Sequence, residues 1–244
     1  MRPFLLLSIR AEPEAADNEY ESFLRFTGFD ERDLPRVNLV DTELPAVSLD
    51  DWSGIVLGGG PWTASDPEGS KSEAQRRAEK GLTALLEEVV AADFPFLGAC
   101  YGIGTLGIHQ GGLVDRSWPE PVGPLAVRLT PEGEADPLFA GVPIAFAAYG
   151  GHKEALSRMP ASAVGLATSD ACPVQAFRVG ENVYATQFHP ELDVVGVCTR
   201  IDVYKDAGYF PPEEAETLKA LSRSVEVTHP MTVLSNFVRR YRRN

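Results

Sequence analysis

The chain has 244 residues, 44% of them hydrophobic and 23% charged, with 35 acidic against 22 basic side chains and a formal net charge of −13; this is the composition of a soluble globular protein long enough to bury about 70% of its unfolded surface. So acidic a chain repels nucleic-acid phosphates, and no stretch reaches the roughly 18 apolar residues of a membrane span, which excludes nucleic acid and membrane as partners. Three cysteines, Cys100, Cys172 and Cys198, are widely spaced without a CxxC pair, against a disulfide framework or a structural zinc, and a reducing cytoplasm suits them best.

Phe4 to Ile9 reads as a buried strand and Asn18 to Phe26 as a helix that Gly28 stops. Val37 to Val40 and Trp52 to Leu57 are further strands, the second running into Gly58-Gly59-Gly60-Pro61. A helix follows from about Ser72 to Ala91, where Leu82, Leu85, Leu86, Val89 and Val90 share one face. Phe96 to Ala99 is a short apolar run entering Cys100, and Gly102 to His109 starts as a glycine-rich helix. From Pro124 the character changes to short β segments, Leu125 to Leu129, Ile144 to Ala148, Ala163 to Ala167, Val174 to Val179 and Val183 to Phe188, separated by Pro, Gly and Asp turns. Two helices close the chain, one striped by Leu218, Leu221 and Val225, the other by Leu234, Phe237, Val238 and Tyr241 with Pro230 in its first turn. The expected fold is α/β: three layers, a mostly parallel central sheet flanked by helices, and an additional small antiparallel sheet. No repeat or linker divides residues 1–244, so they read as a single domain with a C-terminal helical extension at about 199–244.

Three motifs carry the chemistry. In Gly98-Ala99-Cys100-Tyr101-Gly102 a cysteine stands between a buried strand and a helix N-terminus, where small neighbours permit a sharp turn and the helix end favours a thiolate; taken alone, Cys100 reads better as core packing. In Gln187-Phe188-His189-Pro190-Glu191 the strand ends on a histidine with a carboxylate two residues on, on the same side, suited to orient the imidazole. His189 alone would be a structural histidine. Gly58-Gly59-Gly60-Pro61 offers bare backbone N–H groups to an oxyanion, and is equally an ordinary strand-ending turn. The four histidines, His109, His152, His189 and His229, have no pair at helical metal-ligand spacing, so neither metal nor cofactor is expected.

In this order, strand-GGGP, strand-GACYG and strand-QFHPE, the chain resembles the class I glutamine amidotransferases, a family with a Cys-His-Glu triad, and most of all its free-standing GMP synthase-like members. The resemblance spans roughly residues 50 to 191, with His152-Lys153-Glu154 and the run Cys172 to Phe177 included. It implies Cys100 as nucleophile, His189 as general base and acid, Glu191 as orienting carboxylate, and an oxyanion hole from the N–H groups of Gly60 and Tyr101. Gly59, Gly104, His152 and Gln187 are the substrate-binding candidates. The implied reaction is cleavage of a γ-glutamyl amide, glutamine foremost, through a γ-glutamyl thioester on Cys100 that releases ammonia and glutamate. Two departures stand out. The family glutamine of Gly-x-Cys-x-Gly-x-Gln is Gly104 here, which either removes a polar contact to substrate or lets the helix pack tightly on the sheet. No synthetase phosphate loop follows, so an ammonia-accepting synthetase would be a separate chain. A γ-glutamyl hydrolase acting on an amine or peptide conjugate, and a silent binding protein, are the alternatives; a homo-oligomer is left open. For His152 the structural reading comes first and pocket lining second. Tyr204, Tyr209 and Phe210 are candidates for a cover over the site or for core.

Overall fold

A computed structural model describes residues 2–243. Because β1 (Phe4–Ser8) is apolar at nearly every position, it can be covered on both sides, and it lies inside a nine-stranded sheet. Its neighbours are β2 (Arg36–Asn38) and β3 (Gly54–Leu57), followed by β4 (Phe96–Ala99) and β11 (Val183–Thr186), all parallel. The sheet continues through β10 (Ala176–Val179), β9 (Ala163–Thr168), β6 (Glu120–Leu129) and β7 (Ala145–His152), each antiparallel to the one before. Sequence pattern predicts these later segments as a layer beside the parallel strands. They extend the same sheet instead, because β11 is hydrogen-bonded to parallel β4 on one edge and to antiparallel β10 on the other. A separate two-stranded antiparallel sheet joins β5 (Leu113–Asp115) to β8 (Ala155–Arg158), both too short to show a period in the sequence.

Alternation along β1 decides the two cores. Phe4 and Leu6 join Phe23 of α1 (Pro13–Thr27) and Val233, Leu234 and Phe237 of α7 (Pro230–Tyr241) on one face. Leu5 and Leu7 face the other way, toward Leu82, Leu86 and Val89 of α2 (Glu73–Ala91) and Ile103 and Leu106 of α3 (Tyr101–His109). Three layers result. Helix α1 begins five residues earlier than its apolar stripe predicts, at Pro13, whose missing N–H costs nothing in a first turn. Two further helices, α4 (Pro131–Ala135) and α5 (Val194–Tyr204), have no distinctive stripe; α5 packs against α1 and α6 (Ala215–Ser224). Among the described residues no helix is long and apolar enough to cross a membrane.

Parallel pairing sets the site. Gly98 stands opposite Leu57 of β3 and Ala185 of β11, so the residues that follow each strand leave the sheet at the same edge. The chain turns there at Cys100 with φ 53° and ψ −89°, a positive-φ conformation costing a cysteine about 1–3 kcal/mol. The turn closes only because Gly98 has no side chain: a Cβ there would lie 2.9 Å from the Gly102 backbone. Gly98→Ala is therefore expected to destabilise the fold by about 1–3 kcal/mol, seen as a lower urea midpoint; an unchanged midpoint would show that the elbow has slack.

Candidate active site

Strand β4 delivers Cys100, whose N–H donates to the Thr186 carbonyl of β11 at 2.8 Å. Tyr101 is the first residue of α3, so its N–H lacks an intrahelical acceptor and points out of the helix end. Beyond β11, His189 is anchored by its N–H to the Tyr149 carbonyl at 3.0 Å. Gly59, after β3, approaches both: a Cβ on it would lie 3.1 Å from Cys100 Cβ, 3.1 Å from His189 Nε2 and closer still to His189 Cε1. Only glycine permits that crowding. Gly60 is equally constrained, against Ile9, and lines the cleft beside Cys100. The expected nucleophile, base and both oxyanion-hole residues thus converge on one edge of the sheet.

Nδ1 of His189 lies 2.8 Å from Glu191 Oε1. A carboxylate only accepts, so Nδ1 holds the proton and the Nε2 lone pair is free to act as a base. The same Oε1 accepts from Arg200 Nη2 at 2.7 Å, and Arg200 also approaches Glu19 Oε1 at 3.5 Å. Glu19 in turn holds Arg10 Nε at 2.8 Å and the Ser8 hydroxyl at 3.3 Å; Arg10 Nη1 donates to the Tyr204 hydroxyl at 3.1 Å. Arg10, Glu19, Glu191 and Arg200 are all buried, an alternating cluster of two cations and two anions. Sequence reasoning misses Arg10, Glu19 and Arg200. Arg200 carries the clearest signal of the three, as the one charged side chain in the first eight positions of α5, VVGVCTRI.

Burial disfavours the Glu191 carboxylate, but His189 and Arg200 more than offset it and hold its pKa well below the ordinary value. Burial lowers the pKa of His189, Arg200 and Arg10 lower it further, and Glu191 opposes them. Burial also pushes the Cys100 thiol up to about 12, against the pull of Arg10 and Arg200. The resting pair is therefore thiol and neutral imidazole; the thiolate expected from the helix N-terminus alone is outweighed by the loss of water around the sulfur. A nucleophilic role for this sulfur would need a base to take its proton.

Of the four substrate-binding candidates, Gly59 is the spacer just described. Gln187 is 2% exposed, its Oε1 has no hydrogen-bond partner among the described residues, and it lines a lobe of the cleft with Cys100, Tyr101 and Glu154. His152 borders the same lobe, but its ring is engaged: Nδ1 to the Glu154 carbonyl and Nε2 to Glu120 Oε2, each at 2.8 Å. Gly104 faces Glu154, whose Oε1 would lie 3.2 Å from a Cβ. That carboxylate accepts from the N–H groups of Ala64 and Ser65 at 2.6 and 2.8 Å, tying down the loop after Gly60. A family-type glutamine at position 104 and Glu154 in this pose compete for one space. Tyr204 and Tyr209 line the cleft and Phe210 is buried in a cluster with Leu192, Val197 and Ile201, so the segment supplies both cleft lining and core. Ligand-type atoms of Glu120, His152 and Cys172, and of Glu19, His189 and Glu191, fall within 4.8 Å of one another. In the second group Arg10 and Arg200 already neutralise the carboxylates and would repel a cation; in the first, Glu120 already accepts from His152, Ser169 and Gln175.

Known proteins share this architecture. The glutamine amidotransferase class-I family model matches residues 32–194. A GMP synthase [glutamine-hydrolyzing] of Thermosipho melanesiensis is 30% identical over 141 residues, covering 57% of this chain and 24% of that protein. A shorter relative, one of the subunits of the GMP synthase [glutamine-hydrolyzing] of Picrophilus torridus, is 29% identical over 171 residues, 70% of this chain and 80% of the relative. The chain spans about a quarter of the length of the longer relatives. A crystal structure of a glutamine amidotransferase from Thermotoga maritima superposes with a TM-score of 0.73 at 21% identity, over 99% of this chain and 98% of that one, and so shares the fold.

Because His189 is depressed below the ordinary imidazole value of 6.5, the acid limb of Cys100 reactivity toward iodoacetamide is expected below that pH. Arg200→Met removes a cation that lowers His189 and leaves Glu191 to raise it, so the limb should move to higher pH. A limb that stays in place, or moves down, would show that Arg200 does not govern the imidazole.

Proposed function

From the premise that the chain belongs to the class I glutamine amidotransferase family, we propose that it hydrolyses a γ-glutamyl amide through an acyl-enzyme on Cys100. The single observation that carries this reading is the convergence of Cys100, the Glu191-oriented His189 and the N–H groups of Gly60 and Tyr101 at one edge of the sheet. Residues 2–243 act in this reading as one unit, with the helical stretch from about 199 contributing Arg200, Tyr204 and Tyr209 to the site.

The Cys100 sulfur attacks the γ-carbonyl carbon while His189 Nε2 takes its proton. The carbonyl oxygen, now an oxyanion, accepts from the Gly60 and Tyr101 N–H groups. His189 returns the proton to the leaving nitrogen, the C–N bond breaks, and a γ-glutamyl thioester remains. Water then attacks the thioester carbon, giving a proton to His189, which passes it to sulfur as glutamate departs. Glu191 accepts from His189 Nδ1–H throughout and stabilises the imidazolium that forms twice per turnover. With glutamine as donor the first product is ammonia, which a synthetase would consume; the Picrophilus torridus relative is named as a subunit of a GMP synthase. A second reading, hydrolysis of a γ-glutamyl amine or peptide conjugate, is favoured by the replacement of the family glutamine with Gly104 and by the Glu154 carboxylate in its space.

Cys100→Ala is expected to abolish glutamate release from γ-glutamyl amides, and a glutamine-analogue electrophile to add one equivalent of mass to Cys100 of the native protein. Glu191→Gln should lower kcat by at least about 100-fold. Full turnover by Cys100→Ala would sink the mechanism.

A further inference from the structure

Cys100 stands at the junction of two lobes of the cleft, which share it with Gly60, Gly151 and Tyr209. The smaller has about 290 Å³ of free space, open solvent included, and is lined by Trp62, Tyr101, Glu154 and Gln187. The larger has about 450 Å³ on the same measure, and His189 lines it and not the smaller one. An acyl carbon under attack carries three groups. Its oxygen must lie at the N–H groups of Gly60 and Tyr101. Its leaving nitrogen must lie toward His189 to be protonated, and so at the mouth of the larger lobe. The glutamyl chain is then directed into the smaller, polar lobe. Whatever the nitrogen carries enters the larger one.

Glutamine puts only hydrogens there. Yet the lobe has a built wall, Val122, Leu192 and Val197 with the rings of Tyr204 and Tyr209. Five of its lining residues, Arg10, Val197, Arg200, Tyr204 and Tyr209, lie outside residues 32–194, the part matched by the family model, so the match itself does not fix this wall. The charges behind it are balanced: Arg10 and Arg200 against Glu19 and Glu191, with Arg10 Nε and Nη1 committed to Glu19 and Tyr204. An ionic substituent would find no surplus charge, whereas an apolar one would shed water against aliphatic and aromatic surface.

We propose that the larger lobe is a leaving-group site and that the preferred acyl donor is a secondary γ-glutamyl amide whose amine bears an apolar alkyl or arylalkyl group. The inference rests on the reading of Cys100 as the acylated nucleophile. The reaction is γ-glutamyl-NH-R plus water giving glutamate and R-NH2: the sulfur–carbon bond forms as the carbon–nitrogen bond breaks, the thiol proton travels through His189 to the amine nitrogen, and water supplies the oxygen and the proton that restore glutamate and thiol. His189 serves the same role as with glutamine, but the substituent binding energy is gained where glutamine gains none.

Glutamate release by the full chain from L-glutamine, γ-glutamyl-methylamide and γ-glutamyl-benzylamide decides the matter. We expect kcat/KM to rise along that series, by at least about tenfold from first to last, and Val122→Trp, which narrows the lobe, to cut the benzylamide-to-glutamine ratio by a similar factor. Equal or better turnover of glutamine by the native protein overturns the proposal whether or not Val122→Trp folds, and so does a ratio that a folded Val122→Trp leaves unchanged. Intact-mass analysis separates the two levels: a thioester on Cys100 from glutamine with none from the benzylamide rejects the leaving-group site alone, and no thioester from any donor rejects the acyl-enzyme as well.

Discussion

Everything at the site depends on the parallel register that places β4 between β3 and β11. With Gly98 level with both Leu57 and Ala185, three loops leave the sheet together, and each brings a different chemical element: bare N–H groups, a sulfur, an imidazole. The backbone then has to come closer than side chains allow. Gly59 between Cys100 and His189, and Gly98 beneath the Cys100 turn, absorb that demand. Cys100 itself takes a positive-φ conformation that glycine would adopt more cheaply, but only at the loss of the sulfur. The hydrogen bond from the Cys100 N–H to the Thr186 carbonyl ties the strained turn to its neighbour strand, so the strain is held by sheet pairing already in place.

The second constraint is electrostatic. Burial holds the His189 imidazole toward its neutral form, and Glu191 pulls it back toward the charged one. Arg200 counters this by sharing Glu191 Oε1 with His189, and Glu19 and Arg10 balance Arg200 in turn. Burying four charges is costly, and such clusters are weak contributors to stability; here the arrangement fixes the imidazole tautomer and keeps Nε2 unprotonated. It also bolts α1 and α5 to the sheet edge through side chains, coupling the integrity of the site to helices that lie largely outside residues 32–194, the part matched by the family model.

Much of the fold is legible in the sequence because it is written in local periods: the apolar β1, the α2 stripe, the proline and glycine stops. The three site motifs are legible for a related reason, since each sits directly after a buried strand, and parallel strands emptying onto one edge is a general rule of α/β sheets. The elements that stay hidden are short or have no single face, as with β5, β8 and the mostly apolar α5. The raised pKa of Cys100 runs against the expectation from its helix N-terminus because a sequence does not disclose how far the fold withdraws the thiol from water, and burial is the larger effect.

By itself, then, the sequence determined the strand-and-elbow framework, the identities of Cys100, His189 and Glu191, and the short spacing that lets the last two meet. Tertiary structure alone decided what surrounds them. Arg10 meets Tyr204 across 194 positions, and Glu154 reaches Ala64 across 90 to fill the space in front of Gly104. Neither pairing leaves a trace in local composition or period, because a hydrophobic pattern says which face of an element is buried but not which distant element covers it. The two lobes of the cleft arise from such long-range encounters.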